Sequence, residues 1–379
     1  MIRVPAYING IGLISPQQTA DPSLFLPEVM EYTTDFLTSV DPNYKAFIDP
    51  LAARRMSRLI KMGITAAKIA LQDATPKPHE GDFLPSLASG SEATREGLGV
   101  GLDAIITGTG LGSVEDTEKI LGRMTAGEQL MNPTPFIQST YNTISSQIAI
   151  ILQCHNYNST YVHRSFSFES ALQDALLQFE EGAAATALIG GIDEMTENHL
   201  KITRRAGHWK MGPVNNLNLL SYQTPGALAG EGSAYFLMAS QITSTTYASL
   251  LDVQTIYKPE ESLPMDEVIT RFLSDNGLSP DQVDAVILGY NGDIRYDFLY
   301  DRLGSGIFRE AQQVWYKHLC GEYYTSTGFA LWLGANILKH QVIPVAVRFN
   351  NLNADRLQHI LVYNQDRNIN HSLLLLSRK

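Results

Sequence analysis

Cysteine is scarce here: Cys154 and Cys320 are the only two in 379 residues. A single pair builds no disulfide framework, and that scarcity fits a reducing compartment. No apolar run approaches the roughly 20 residues that cross a bilayer. The opening stretch MIRVPAYINGIGLISP has one charge and no small-residue cleavage site, so no signal peptide is expected and the cytoplasm is the expected location. Positive charge is also short. The 28 Lys and Arg against 39 Asp and Glu leave a net charge of −11, which argues against nucleic acid, where clustered cations must neutralise phosphates. There is no G-x-x-x-x-G-K-[ST], no G-x-S-x-G and no H-E-x-x-H, so P-loop, α/β-hydrolase and zincin chemistry lack support. GTGLGS (108–113) has the wrong glycine spacing for a dinucleotide fingerprint and reads as a tight strand–helix turn. The nine histidines are scattered without metal-ligand spacing; neither a metal nor a cofactor is expected.

What is present is a chain with 44% hydrophobic and 18% charged residues, enough for a large core. Its length suggests two or three folding units. Short apolar runs at 6–12, 103–110, 159–165, 185–191, 233–240 and 284–292 read as buried strands ending in Gly or polar turns. Amphipathic helical patterns lie between them at 56–74, 167–182, 265–277 and 329–341. Buried strands separated by helices imply an α/β protein whose mostly parallel sheet is covered on both faces. The Pro-, Ser- and Gly-rich stretch 75–97 reads as a surface insertion. A weak repetition suggests two halves, 1–245 and 246–379. Because ligands in open α/β sheets sit beyond the carboxyl ends of strands, four turns draw attention: 108–113, 163–167, 290–297 and 317–328.

Taken together, six segments resemble the β-ketoacyl-carrier-protein synthase family, and the resemblance covers nearly the whole chain. They are YINGIGLISP at the start, ARRMSRLIKMGITAAKIALQDA, TGTGLG, Asn142 in STYNTISSQIA, GGIDE (190–194) and GEGSAYFLM (230–238). KHLCGEYYTSTG (317–328) occupies the slot of that family's Lys-x-x-x-Gly-His turn. The resemblance implies a thiolase-like, five-layered αβαβα fold made of two pseudo-duplicated halves, and a dimer.

It also implies a chemistry that these residues do not supply. Condensing enzymes of the family hold the acyl chain on a cysteine thiolate at a helix amino terminus, where the dipole and free N–H groups stabilise the anion. Alignment puts Ser165 in that slot. An unassisted hydroxyl is a far weaker nucleophile, so Ser165 needs a base. His163, two residues upstream on an extended strand, is the candidate; the alternative is that Ser165 caps the helix and His163 is structural. The first histidine slot holds Asn291, which donates a hydrogen bond but transfers no proton. The second holds Glu322, whose charge would repel an enolate, five residues after Lys317, which keeps its family identity. An ion pair of Glu322 with Lys317 or an arginine is expected. The family's acidic residue after the first histidine is out of register here, with Asp297 early and Asp301 late. NQDRNINHSLLLL (364–376) stands where the family has a Phe-Gly-rich loop; glycine serves positive φ there, and Arg367 suits such a loop poorly.

The cluster Lys201, Arg204, Arg205 and Lys210 is unusual in so acidic a chain. It reads either as a solvated face or as a docking patch for an acyl carrier protein. The leading functional expectation is a non-condensing subunit similar to chain-length factors, most like those of aryl-polyene and flexirubin-type pathways. Such a subunit pairs with a Cys-bearing ketosynthase homologue. The alternatives are a weak ketosynthase, decarboxylase or acyl hydrolase using Ser165, and a structural or acyl-binding homodimer.

Overall fold

The computed structural model of the chain describes residues 5–75, 101–128, 132–260, 263–352 and 356–379. Apart from Thr75, the insertion expected at 75–97 lies outside them. Ten strands form one sheet: β1 (Ala6–Ile14), β2 (Ala104–Gly108), β3 (Tyr157–Tyr161), β4 (Thr186–Asp193), β5 (Gly232–Ala239), β6 (Ala248–Tyr257), β7 (Ala285–Leu288), β8 (Gln312–Trp315), β9 (His359–Asp366) and β10 (Asn370–Ser377). The spatial order is β8-β7-β9-β10-β6-β1-β5-β4-β2-β3.

That order contains a duplication. Counting from each half's own first strand, both halves run third-second-fourth-fifth-first: β3-β2-β4-β5-β1 and β8-β7-β9-β10-β6. The pairing senses match as well. In each half the fifth strand is antiparallel to both neighbours, and the remaining pairs are parallel. The halves join where β1 meets β6 through three residue pairs, Ala6–Leu250, Tyr7–Ser249 and Ile8–Ala248.

Among the described residues the helices of eight or more residues are α1 (Arg58–Ala74), α2 (Val114–Thr125), α3 (Thr143–Leu152), α4 (Ser167–Glu180), α5 (Glu197–Arg205), α6 (Met265–Asp275), α7 (Phe298–Ser305) and α8 (Thr327–His340). Three apolar clusters sort most of them into layers. Leu59, Ile64 and Leu71 of α1, with Ile144 and Ile148 of α3, cover the outer face of the first half. Ile269, Phe272 and Leu273 of α6, with Tyr300 and Leu303 of α7, cover the outer face of the second. Helices α4 and α8 lie between, in a cluster that includes strands of both halves. Burial explains their composition. Every residue of α8 from Thr327 to Leu338 is buried, and a helix apolar all round belongs inside. The expected five layers are therefore present. Among the described residues, no helix is long and apolar enough to cross a membrane.

Two departures from the sequence reading stand out. Five of the nine strand pairings are antiparallel where a mostly parallel sheet is expected, because the fifth strand of each half and the β1–β6 join run against their neighbours. The other lies at β3, which ends at Tyr161 instead of continuing to Ser165. Residues Arg164–Phe166 form a 3-10 turn, entered by Arg164 at φ 48°, that leads into α4. Close approach allows this. A Cβ on Gly108, at the end of β2, would sit 2.4 Å from the Ser167 carbonyl oxygen, so only glycine lets the head of the central helix rest there.

Candidate functional site

Four turns at the carboxyl ends of strands meet around one cavity lined by Ser165, Asn291, Glu322 and Asp366, with Asp193, Glu194, His208, Tyr324 and Arg367 completing the wall. Water-accessible space in it amounts to about 50 Å³, room for a few waters at most.

Ser165 sits in the turn before α4. Its Oγ donates to Asp366 Oδ2 at 2.7 Å. Asp366 ends β9, and burial works against its charge. The bidentate hydrogen bond and charge of Arg367, helped by the Ser165 hydroxyl, prevail and hold the carboxyl below its ordinary value. Arg367 in turn donates from Nη1 to His208 Nε2 at 2.8 Å. Two expectations are corrected. The alternation that aimed His163 at Ser165 fails because the strand has already ended; His163 is exposed and stacks on Phe166, ring centroids 5.3 Å apart. Nor does Ser165 cap the helix: its hydroxyl donates to Asp366, and the residue at the helix N-cap is Phe166, which makes no side-chain cap bond.

A third correction concerns the loop before the last strand. Arg367 and Asn368 are the centre of a tight β9–β10 hairpin, with φ of 52° and 54°. Pairing of Asp366 with Asn370 leaves a three-residue loop, and the Ile369 N–H donates to the Asp366 carbonyl at 2.9 Å, closing a turn whose two central residues, Arg367 and Asn368, both take positive φ. Arg367 tolerates it because its guanidinium is anchored at both ends, on Asp366 and His208.

Glu322 ties three turns together. Its Oε2 accepts from Lys317 Nζ at 2.5 Å and from Asn291 Nδ2 at 2.7 Å, while Oε1 accepts from Ser326 Oγ at 3.2 Å. The ion pair expected from the sequence is thus with Lys317, whose side chain is fully buried. Gly321 makes the turn, at φ 74°, where a Cβ would lie 2.5 Å from the Gly230 Cα. That close approach lets Glu322 N–H reach the Leu228 carbonyl at 2.7 Å, joining the turn to GEGSAYFLM. Asp297 organises the Asn291 turn by accepting the Asn291 and Gly292 N–H groups at 3.2 and 2.9 Å. Burial pushes it up to about 7. Asp301 accepts the Tyr290 hydroxyl at 2.8 Å instead.

Sequence reasoning missed several wall residues. Asp193 and Glu194 were visible only as part of GGIDE. Asp193 accepts from Gly110 N, Thr325 N and Thr325 Oγ1 at 2.7 to 2.9 Å, locking the TGTGLG turn to the start of α8, and burial raises it to about 6. Glu194, also raised by burial, to about 7, accepts the Glu115 N–H at 2.9 Å. Nothing local marked Asp366, whose role arises from a residue 201 positions away. Cys154 follows α3, where its thiol faces the Leu102 carbonyl, and Cys320 is buried beside Gly321, with burial raising its thiol strongly. Neither lies at the head of α4.

The basic cluster does not assemble as one surface. Lys201 is exposed and paired with Glu197, Arg204 reaches Asp35 at 2.8 Å, and Arg205 is exposed. Lys210 is buried: its ammonium donates to the Tyr222, Thr224 and Gly292 carbonyls and to Thr224 Oγ1, at 2.5 to 3.1 Å. It braces the Asn291 turn and presents no charge at the surface. Replacing Lys210 with Met is expected to destabilise the fold by about 1–3 kcal/mol, because buried carbonyls lose their donor. A chemical-denaturation midpoint equal to wild type would remove this bracing role.

The fold and this convergence of turns define the class. Residues 26–242 match the β-ketoacyl synthase N-terminal domain, and the chain belongs to the β-ketoacyl synthase family. Among solved structures it is similar to the ishigamide ketosynthase/chain length factor, at TM-score 0.79 and 17% identity over all of both chains. It is also similar to the ketosynthase ApeO in complex with its chain length factor ApeC from Xenorhabdus doucetiae, at TM-score 0.74 and 15% identity over 99% of this chain and 98% of that one. A third is AntDE:AntF, a type II acyl-carrier protein in complex with its ketosynthase, at TM-score 0.70 and 14% identity over all of both chains. At such identities the likeness establishes the fold. No curated protein matches the sequence.

Proposed function

We propose that this chain is a non-condensing subunit that pairs with a catalytic, cysteine-bearing ketosynthase and helps to shape the pocket that sets product length. The observation that carries this reading is the Ser165–Asp366 contact. A hydroxyl tied to a carboxylate whose proton affinity is already depressed has a poor base and is not activated for acyl transfer. Asn291 and Glu322 are spent on each other and on Lys317, so neither of the two positions where the family has histidine carries an imidazole, and the His208 ring in the cavity wall is engaged by Arg367. The cavity beside them is too small for an acyl chain.

A partner is supported by the two ends of the sheet. At one end, β8 is covered by its own chain: Phe349 N–H donates to the Gln313 carbonyl, and Arg348 bridges Val314. At the other, β3 pairs only with β2 among the described residues, leaving an unpaired edge. Around it stand exposed Tyr157, Val162, Ile150 and Leu177. Unpaired edges flanked by apolar side chains invite strand addition, and proteins keep them where a partner belongs. The ketosynthase/chain length factor assemblies named above are consistent with such a partner and with polyene-type or related acyl-chain synthesis. A carrier protein would then deliver chains to the ketosynthase, with exposed Lys201 and Arg205 available to its acidic surface.

The test is co-expression with a Cys-His-His ketosynthase from the same source. A co-purifying heterodimer is expected, its product length changing when exposed apolar residues of this chain are replaced. Ser165→Ala is expected to leave product yield unchanged, and intact-mass measurement after incubation with acyl-carrier protein to show no adduct. A covalent acyl mass lost in Ser165→Ala would overturn the non-condensing reading.

A further inference from the structure

We propose that a second cavity, beside the Asn291 turn, binds a compact organic cation: a protonated amine carrying one apolar group. Its walls include Tyr290, Ile294, Phe298 and Phe349, with the carboxyl groups of Asp297 and Asp301. Water-accessible space in it amounts to about 240 Å³, against about 50 Å³ beside Ser165. That suits one ring and a short chain, and it is too little for a helix or a strand.

The apolar side is already assembled. Tyr290 is buried and stacks on Phe349, with ring centroids 4.6 Å apart and planes within 9° of parallel. Phe349 is nevertheless 38% exposed and Phe298, at the start of α7, 54% exposed, with Ile294 also open to solvent. Large apolar side chains gathered around one hollow mark a binding groove more often than scattered ones do.

The polar side lacks its counter-charge. Asp301 accepts the Tyr290 hydroxyl at 2.8 Å, and Asp297 accepts the Asn291 and Gly292 N–H groups. The arginines adjacent in sequence are spent elsewhere, Arg295 on Asp293 and Arg302 on Asp266. Lys317 and Lys210, which act on Asp297 from a distance, are held by Glu322 and by backbone carbonyls. No Lys, Arg or His among the described residues forms an ion pair with Asp297 or Asp301. Burial has pushed Asp297 up to about 7, so a cation beside it would restore its charge.

The two sides together set the ligand class. An ammonium is attracted by carboxylates through its charge and by ring faces through their quadrupole. A bare metal ion has no use for the rings, a neutral apolar molecule none for the carboxylates, and an anion is repelled. Asp297 also links the site to the turn that brings Asn291 to Glu322, so an occupant stiffens that turn.

The probe is 2-phenylethylammonium, and 2-phenylethanol is its neutral counterpart. Calorimetric titration of the full chain with the ammonium is expected to saturate at a single site, with the alcohol binding about tenfold more weakly or worse. Asp301 is exposed, and Asp301→Asn keeps an acceptor for the Tyr290 hydroxyl, so the variant should fold. It should weaken the ammonium on the order of tenfold and leave the alcohol unchanged, whereas Phe349→Ala should weaken both. No saturable binding to wild type, or equal binding of ammonium and alcohol, overturns the proposal. So does an Asp301→Asn chain that binds the ammonium as tightly as wild type.

Discussion

Glu322→Ala is expected to lower the unfolding free energy by about 3–5 kcal/mol, the range for removing one partner of a buried ion pair. The reason is what remains behind. Lys317 is completely buried, and without Glu322 its ammonium has lost its counter-ion. Asn291 Nδ2 and Ser326 Oγ lose their acceptor in the same step, so the Asn291 turn, the Lys317 turn and the start of α8 come apart together. Glu322→Gln, which keeps an acceptor but no charge, should fall between wild type and alanine. Removing both charges in Glu322→Gln/Lys317→Met should cost less than the two single changes added, since neither charge is then left alone. Urea denaturation of wild type, the three single variants and the double variant measures this directly. A Glu322→Ala midpoint indistinguishable from wild type would mean the pair holds nothing together.

Glu169→Gln is expected to stabilise the protein in a pH-dependent way. Glu169 lies on the first turn of α4, fully buried, and neither oxygen makes a hydrogen bond of ordinary geometry, although the Thr327 and Ser372 hydroxyls and Lys317 moderate the effect of burial. Burial raises it from 4.5 to about 7. The folded chain therefore holds a proton that the unfolded chain releases between those values. Its contribution is fully present below about pH 4.5 and is lost as pH rises through about 7. At 1.36 kcal/mol per pH unit this is roughly 3 kcal/mol in all. Glutamine carries no such dependence, so the advantage of Glu169→Gln should grow by roughly 2–3 kcal/mol between pH 5 and pH 8. The comparison must be between the two proteins. His318 and His371, pushed down by burial to about 3 and about 4, remove stability as pH falls below the usual imidazole range and bend the wild-type curve the other way. Parallel stability curves for variant and wild type over this interval would show that Glu169 is not the buried acid described here.

What could be read in the chain was whatever depends on near neighbours. The apolar runs at 6–12 and 185–191 and the helical pattern at 56–74 fixed β1, β4 and α1 to within a few residues, because strand and helix periodicities are local. Gly321 and Glu322 identified their turn, and a lysine five residues away on the same turn made an ion pair with Glu322 foreseeable. The misreadings were all non-local. His163 was aimed at Ser165 by a strand period that stopped at Tyr161. Arg367 was judged unfit for a left-handed turn that Asp366 and His208 together support. Lys210 was counted on the surface, although four oxygens from two distant turns enclose it.

The sequence by itself determined the kinds of element, the layered architecture and the identity of the groups at three of the site's turns, because composition and short-range spacing carry that information. Only the tertiary structure decided which groups touch. Hydrogen bonds and ion pairs act over about 3 Å, and the chain that brings Ser165 to Asp366 or Asn291 to Glu322 is set by the packing of two sheet halves around α4 and α8. The same packing leaves β3 paired on one side only among the described residues, a property of the sheet that no stretch of five residues contains.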